Sequence, residues 1–234
     1  LESIAVRIPS SIIAREIIKE SGVPVAAPSA NISGKPSPTT AQHVISEMTG
    51  RVDIIVDGGP CDVGVESTVI SLLGEKPILL RPGGITKDEL QSVLGDIDVS
   101  RSVLSKLNDN EKVYAPGMKY RHYAPKAKLV VVKGFDDDVR EFIRLKVSNA
   151  IKDGINPGVL CFDGEEGYFS GAITISYGRP DMPETLAHSL FMALRAFDET
   201  DVEVIYARSP EPSGIGLAVY NRLIKAAGFN IIDV

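Results

Sequence analysis

The chain has 234 residues, of which 44% are hydrophobic and 24% charged, with a net charge of −6. That balance suits one or two globular domains with a real apolar core and argues against a surface that coats nucleic acid in general. A local basic site stays open, because charges more than about 8 Å away are screened at physiological salt. The two cysteines, Cys61 and Cys161, are far apart and lack metal-ligand spacing. They read as free thiols of a reducing cytoplasm. No apolar run reaches membrane-span length, and no secretory pattern is present.

In chain order, Ile4, Val6 and Ile8 alternate with Ala5 and Arg7, which predicts a strand over 3–8. Ile12, Ile13, Ile17 and Ile18 fall at helical spacing over 10–21, and 23–27 reads as a short buried strand. A loop rich in small and hydroxyl-bearing residues follows, Pro28-Ser29-Ala30-Asn31-Ile32-Ser33-Gly34-Lys35-Pro36-Ser37-Pro38-Thr39. Thr39 and Gln42 predict a capping box for a helix ending at Gly50. Asp53 to Val56 reads as a strand entering Asp57-Gly58-Gly59-Pro60. Ser67–Leu72 and Pro77–Leu80 predict paired strands turning at Gly74-Glu75, and Thr86 with Glu89 caps a helix closed by Gly95.

Periodicity then dissolves from about Val99 to Lys126, and a new rhythm begins. Strands are predicted at 129–132, 158–162, 172–177 and 202–207, with helices at 136–152, 183–199 and 215–227. Strands alternating with helices argue for a parallel α/β sheet. The organisation expected is a first unit over 1–104, a linker over 105–127 and a second α/β unit over 128–234.

Three features could carry chemistry. The Ser/Asn loop opening a helix can present N–H groups, hydroxyls and a helix dipole to an anion, although the same residues also make ordinary turns. The glycine-rich segment 57–68 ends in Glu66-Ser67-Thr68 at a strand start, where hydroxyls can face a cleft; a plain hairpin loop is the alternative. Arg81 stands at a strand end, where α/β sheets gather ligands, and an arginine can clamp a carboxylate or phosphate there. A solvated surface arginine is the commoner case. Lys119-Tyr120-Arg121-His122-Tyr123 interleaves cations and aromatics, fit to stack on a base or simply to cover a surface. Walker, Rossmann, zinc and nucleophile-elbow motifs are not found.

Together Pro28-Ser29-Ala30-Asn31, Ser37-Pro38-Thr39, Gly64-Val65-Glu66-Ser67-Thr68-Val69 and Leu80-Arg81-Pro82-Gly83 resemble the YrdC-type domain of threonylcarbamoyl-adenylate synthases. Pro116-Gly117-Met118-Lys119-Tyr120-Arg121-His122-Tyr123-Ala124-Pro125 resembles the linker of their long, two-domain form. The resemblance implies a partial YrdC-like α/β domain with a twisted sheet, followed by a smaller Rossmann-like α/β domain. It implies an enzyme that joins L-threonine, bicarbonate and ATP into threonylcarbamoyl-AMP and pyrophosphate, for N6-threonylcarbamoylation of tRNA adenosine. By the same resemblance, Ser29, Asn31, Ser37, Arg81 and Tyr120 belong on the ATP side, and Arg7, Ala27 and Ser67 on the threonine side. Arg121, His122 and Tyr123 belong to a segment that closes over the cleft. Mg²⁺ comes with ATP and no protein metal site is implied. The product passes to a downstream threonylcarbamoyl transferase; weak RNA binding, a cytoplasmic location and no membrane contact complete the expectation.

No residue here matches the family's Lys-x-Arg motif, and no catalytic residue is assigned. The sequence looks like the C-terminal two-thirds of such an enzyme, so the chain as given is expected to be a poor catalyst. The rival readings are a nucleic-acid-binding module for tRNA or double-stranded RNA, disfavoured by the charge, and a carbamoyl-transferring relative in hydrogenase maturation. The absence of zinc-finger cysteines and the 116–125 segment argue against the latter.

Overall fold

The computed structural model describes residues 3–106 and 123–234, which form a mixed α/β structure with two sheets. The expectations for the second half hold closely. Strands β4 (Lys128–Lys133), β5 (Pro157–Cys161), β6 (Ile173–Ser176) and β7 (Val204–Arg208) form a parallel sheet with β8 (Ile231–Asp233), in the order β6-β5-β7-β4-β8. Alternation along β4 divides the core. Val130 and Val132 face α4 (Asp136–Lys152) through Val139, Ile143 and Val147. Leu129 and Val131 face α5 (Pro183–Phe197) and α6 (Gly216–Ala226) through Leu190, Leu194, Val219 and Leu223. Helices thus cover both faces, as parallel strands require.

The first half is less closed. Helix α1 (Ile12–Ser21) starts at Ser11, whose hydroxyl accepts from Ala14 N, and ends at Gly22 in the left-handed region. Helix α2 (Ala41–Met48) is capped by Thr40, not Thr39 as expected. That one-residue shift leaves Thr39 buried, its backbone N–H donating to His43 Nδ1. Strands β1 (Val69–Ser71) and β2 (Ile78–Arg81) pair antiparallel, and α3 (Lys87–Leu94) carries the expected Thr86–Glu89 capping box. Beyond it β3 (Asp98–Val99) pairs parallel with β2, and a 3₁₀ turn at Arg101–Val103 buries Val103. Residues 98–103 are therefore packed onto the first sheet, where the sequence had suggested the start of an irregular connection.

The strands expected at 3–8, 23–27 and 53–56 are not formed. These segments pair with nothing among the described residues, and Ile4, Val6, Ile8 and Ile54 are 79–88% exposed. An alternating pattern marks a segment that can enter a sheet; the ladder needs a partner beside it.

Candidate functional site

The two sheets meet along a polar seam built from the loops of the first half and one face of α5 and α6. Gly83 closes the first part of it. A methyl group there would overlap the backbone at Thr68 N, Glu66 O and Ser67 C, so only glycine lets the loop after β2 lie against the loop before β1. That contact brings Arg81 to Ser67: Arg81 Nε donates to the Ser67 carbonyl at 3.0 Å, and its Nη2 to the Ser67 hydroxyl at 3.4 Å. Arg7 Nη2 donates to the Ala27 carbonyl at 3.3 Å. Arg7 with Ala27 and Arg81 with Ser67 thus form two pairs; burial first, then Arg222 and more weakly Arg7, lower the Arg81 pKa.

Ser37 joins them through Glu66. The Ser37 hydroxyl donates to the Glu66 carboxylate, which also takes Arg222 Nε of α6 at 2.8 Å. Tyr123 is buried against Phe191 at 5.2 Å between ring centres, and burial, then the Glu66 charge, raises its pKa. Burial alone would raise the Glu66 pKa; Arg222 and the Ser37 hydrogen bond outweigh it and hold the carboxyl below its ordinary value, so it stays ionised.

Asn31 lies earlier on the same loop. Its Nδ2 donates to the carbonyls of Ile32 and Lys35, while its Oδ1 is buried without a partner among the described residues. Ser29 is exposed beside it and enters none of these hydrogen bonds. Thr39 Oγ1 is likewise buried and without a partner among the described residues, next to a cavity of about 130 Å³ lined by Thr39, Thr40, Val44, Val56, Gly59 and Cys61. Tyr120, Arg121 and His122 lie outside the described residues; Tyr123, placed by the resemblance in a closing segment, is buried and has φ +67°.

Reasoning from the sequence missed four members of the seam. Arg195 of α5 donates through Nη1 to Glu47 at 2.7 Å, through Nη2 to the Pro36 carbonyl at 2.5 Å and through Nε to the Ser37 carbonyl at 3.4 Å. Glu47 also accepts the Ile32 N–H at 2.8 Å; burial opposes its charge, and Arg195 with that N–H restores it, so its pKa is lowered. Lys225 is 2% exposed, and burial, with Arg222 and Arg81 nearby, pulls its pKa down to about 8. Arg222 is the last. Among the described residues no cluster of histidine, cysteine, aspartate and glutamate could hold a metal ion, and no helix is long and apolar enough to cross a membrane.

Residues 85–228 match the family model described as threonylcarbamoyl-AMP synthase, C-terminal domain, and residues 1–83 match the model described as telomere recombination. The chain belongs to the threonylcarbamoyl-AMP synthase family. It is 46% identical over 232 residues to a Bacillus subtilis protein named threonylcarbamoyl-AMP synthase, covering 99% of this chain and 65% of the relative. A Pyrococcus abyssi protein of the same name is 46% identical over 237 residues, covering 100% of this chain and 66% of its own length. A crystal structure of Pyrococcus abyssi Sua5 complexed with L-threonine superposes with a TM-score of 0.91 at 46% identity, over 100% of this chain and 66% of that one. The chain thus spans about two-thirds of the length of these relatives.

Proposed function

We propose that the chain carries most of an L-threonylcarbamoyladenylate synthase, whose seam holds L-threonine on the Arg7–Ala27–Ser67 side and ATP on the Ser29–Asn31–Ser37–Arg81 side. The observation that carries this reading is the Glu66 junction, which ties Ser37 to the Ser67–Arg81 pair, so that residues from both substrate sides share one polar network. The threonine-bound relative supports the assignment of the amino acid.

In this reading the Arg81 guanidinium, oriented by Ser67, offers its remaining N–H groups to a carboxylate or phosphate. The neutral threonine amine adds to carbon dioxide with loss of a proton, or to bicarbonate with loss of water, and the carbamate oxygen displaces pyrophosphate from the α-phosphate of ATP. The bond formed is oxygen to α-phosphorus, and the bond broken is the one to the leaving pyrophosphate. No covalent enzyme intermediate is needed, so positioning and charge neutralisation supply the rate. Mg²⁺ enters as part of the MgATP substrate. Tyr120, Arg121 and His122 are proposed to cover the bound nucleotide. Transfer to tRNA adenosine by a downstream enzyme, weak contact with that RNA, and a cytoplasmic location that keeps Cys61 and Cys161 reduced belong to the same proposal.

The test is pyrophosphate release from ATP, bicarbonate and L-threonine. It is run with the chain as given and with a version extended by a segment equivalent to the third of the relatives that this chain does not match. Threonine-dependent release by the extended version, lost in Ser67→Ala combined with Arg81→Ala, is expected. Release that ignores threonine, or survives the double substitution, rejects the proposal.

A further inference from the structure

We propose that Arg195 and Arg222, borne by the helices of the second sheet, are positioning residues that set the geometry of the substrate loops in the first half. The inference rests on the function proposed above and adds to it a role for the second α/β unit.

Each arginine does the same work on a different loop. Arg195 takes one carboxylate, Glu47, and the carbonyls of Pro36 and Ser37. Arg222 takes one carboxylate, Glu66 at 2.8 Å, and the carbonyls of Pro82 at 2.7 Å and Glu66 at 3.1 Å. The Arg222 side chain is fully buried and that of Arg195 is 13% exposed. The carbonyls they engage belong to loops, where no ladder supplies a donor, and a buried carbonyl without a donor is costly. A guanidinium presents its five N–H groups in a rigid plane, so binding three acceptors fixes orientation as well as distance; an ammonium cannot do this.

The two grips converge. Ser37 gives its carbonyl to Arg195 and its hydroxyl to Glu66, which Arg222 holds. Glu66 precedes Ser67, the partner of Arg81, and Pro82 follows Arg81. Both substrate sides are therefore referred to one rigid body, because α5 and α6 share a single core through Leu190, Leu194, Val219 and Leu223. Cohesion alone does not call for this arrangement: buried ion pairs are often no more stabilising than apolar contacts of the same volume. What they add is direction, and the loops they direct are those of the site.

The test uses Arg222→Lys, Arg195→Lys and the neutral pair Glu66→Gln with Arg222→Met, which avoids a buried unpaired charge should Arg222→Met alone fail to fold. Two readouts are taken on the full chain: amide hydrogen exchange, and steady-state kinetics with the extended version described above. Exchange at the amides of Ser37, Glu66, Ser67, Thr68, Arg81, Gly83 and Gly84 is expected to rise by about tenfold or more, with α5 and α6 amides unchanged. The KM for L-threonine is expected to rise about tenfold in the Arg222 variants, and that for ATP in Arg195→Lys, each with a smaller change in kcat. Native loop exchange and native KM values in the neutral pair would overturn the proposal. So would exchange rising equally in α5 and α6, which marks general loosening. If the unsubstituted protein shows no threonine-dependent turnover, the functional proposal falls, and loop exchange alone decides whether the arginines position these loops.

Discussion

Replacing Lys225 with methionine should change how stability depends on pH in a way the structure fixes in sign and size. Lys225 is almost wholly buried and its pKa is pulled to about 8 by burial, then by Arg222 and Arg81, with Glu66 opposing. In the unfolded chain a lysine titrates near about 10.4, so between about pH 8 and 10.4 the unfolded state binds more protons and Lys225 makes stability rise with pH. With those two values the cost of charging Lys225 in the fold is about 3 kcal/mol at pH 7, and falls by about 1 kcal/mol between pH 8 and 9. Cys161 works the other way: burial raises its pKa to about 12, so above about pH 8.5 ionisation favours the unfolded chain, costing about 0.7 kcal/mol over the same interval. The unsubstituted protein should therefore look nearly flat there, and only the difference between the two proteins isolates Lys225. The chain has no tryptophan, so the assay is urea unfolding followed by circular dichroism at pH 7, 8 and 9. Lys225→Met should be the more stable protein at pH 7, with its advantage shrinking by about 1 kcal/mol from pH 8 to 9. A difference that is constant with pH would refute the reasoning and place the Lys225 ammonium in contact with water.

Gly83→Ala should lower stability by about 1–3 kcal/mol, because the added methyl meets only backbone, which cannot rotate away. It should also weaken L-threonine binding by calorimetry, since the Ser67–Arg81 contact depends on that close approach; unchanged binding would separate Gly83 from the site. Thr86→Ala removes the hydroxyl that caps α3 and should cost about 1 kcal/mol in urea unfolding. It should leave L-threonine binding untouched, because α3 contributes nothing to the seam.

The second α/β unit was readable because each element carries its own evidence. The apolar spacing along α4 and α5 and the runs at 129–132 and 158–162 belong to a sheet whose strands lie within the same stretch of chain. Strand β8 escaped because three residues, Ile231-Ile232-Asp233, hold no measurable alternation. The failures at 3–8, 23–27 and 53–56 have another cause. Their apolar residues were identified correctly, but a strand is a relation between two segments, and a pattern in one says nothing of whether the other is beside it. At α2 the expected cap was Thr39; the structure caps the helix with Thr40 and buries Thr39.

The site divides along the same line. Ser67 and Arg81 were legible as polar groups at strand ends. Arg195 and Arg222 were not, since a basic residue on an amphipathic helix reads as solvated, and their partners are 148 and 156 residues away. Helix α6 did carry a signal: Ala218 to Ala226 is buried throughout, and a helix buried on every side must be covered twice, once by its own sheet and once by something else. The charges on it must then be answered from that second surface, as Glu66 answers Arg222. Burial first, and then the neighbouring cations, hold Arg81 and Lys225 below their ordinary pKa values: Arg222 acts on both, Arg7 on Arg81 and Arg81 on Lys225, with Glu66 opposing. Among the described residues these cations gather beside Glu66, inside a chain whose net charge is −6, which is not what solvation of an average surface produces. A carboxylate or a phosphate is the kind of group that such a gathering of cations favours, so the local electrostatics support the proposed substrates, whereas the global charge pointed to neither.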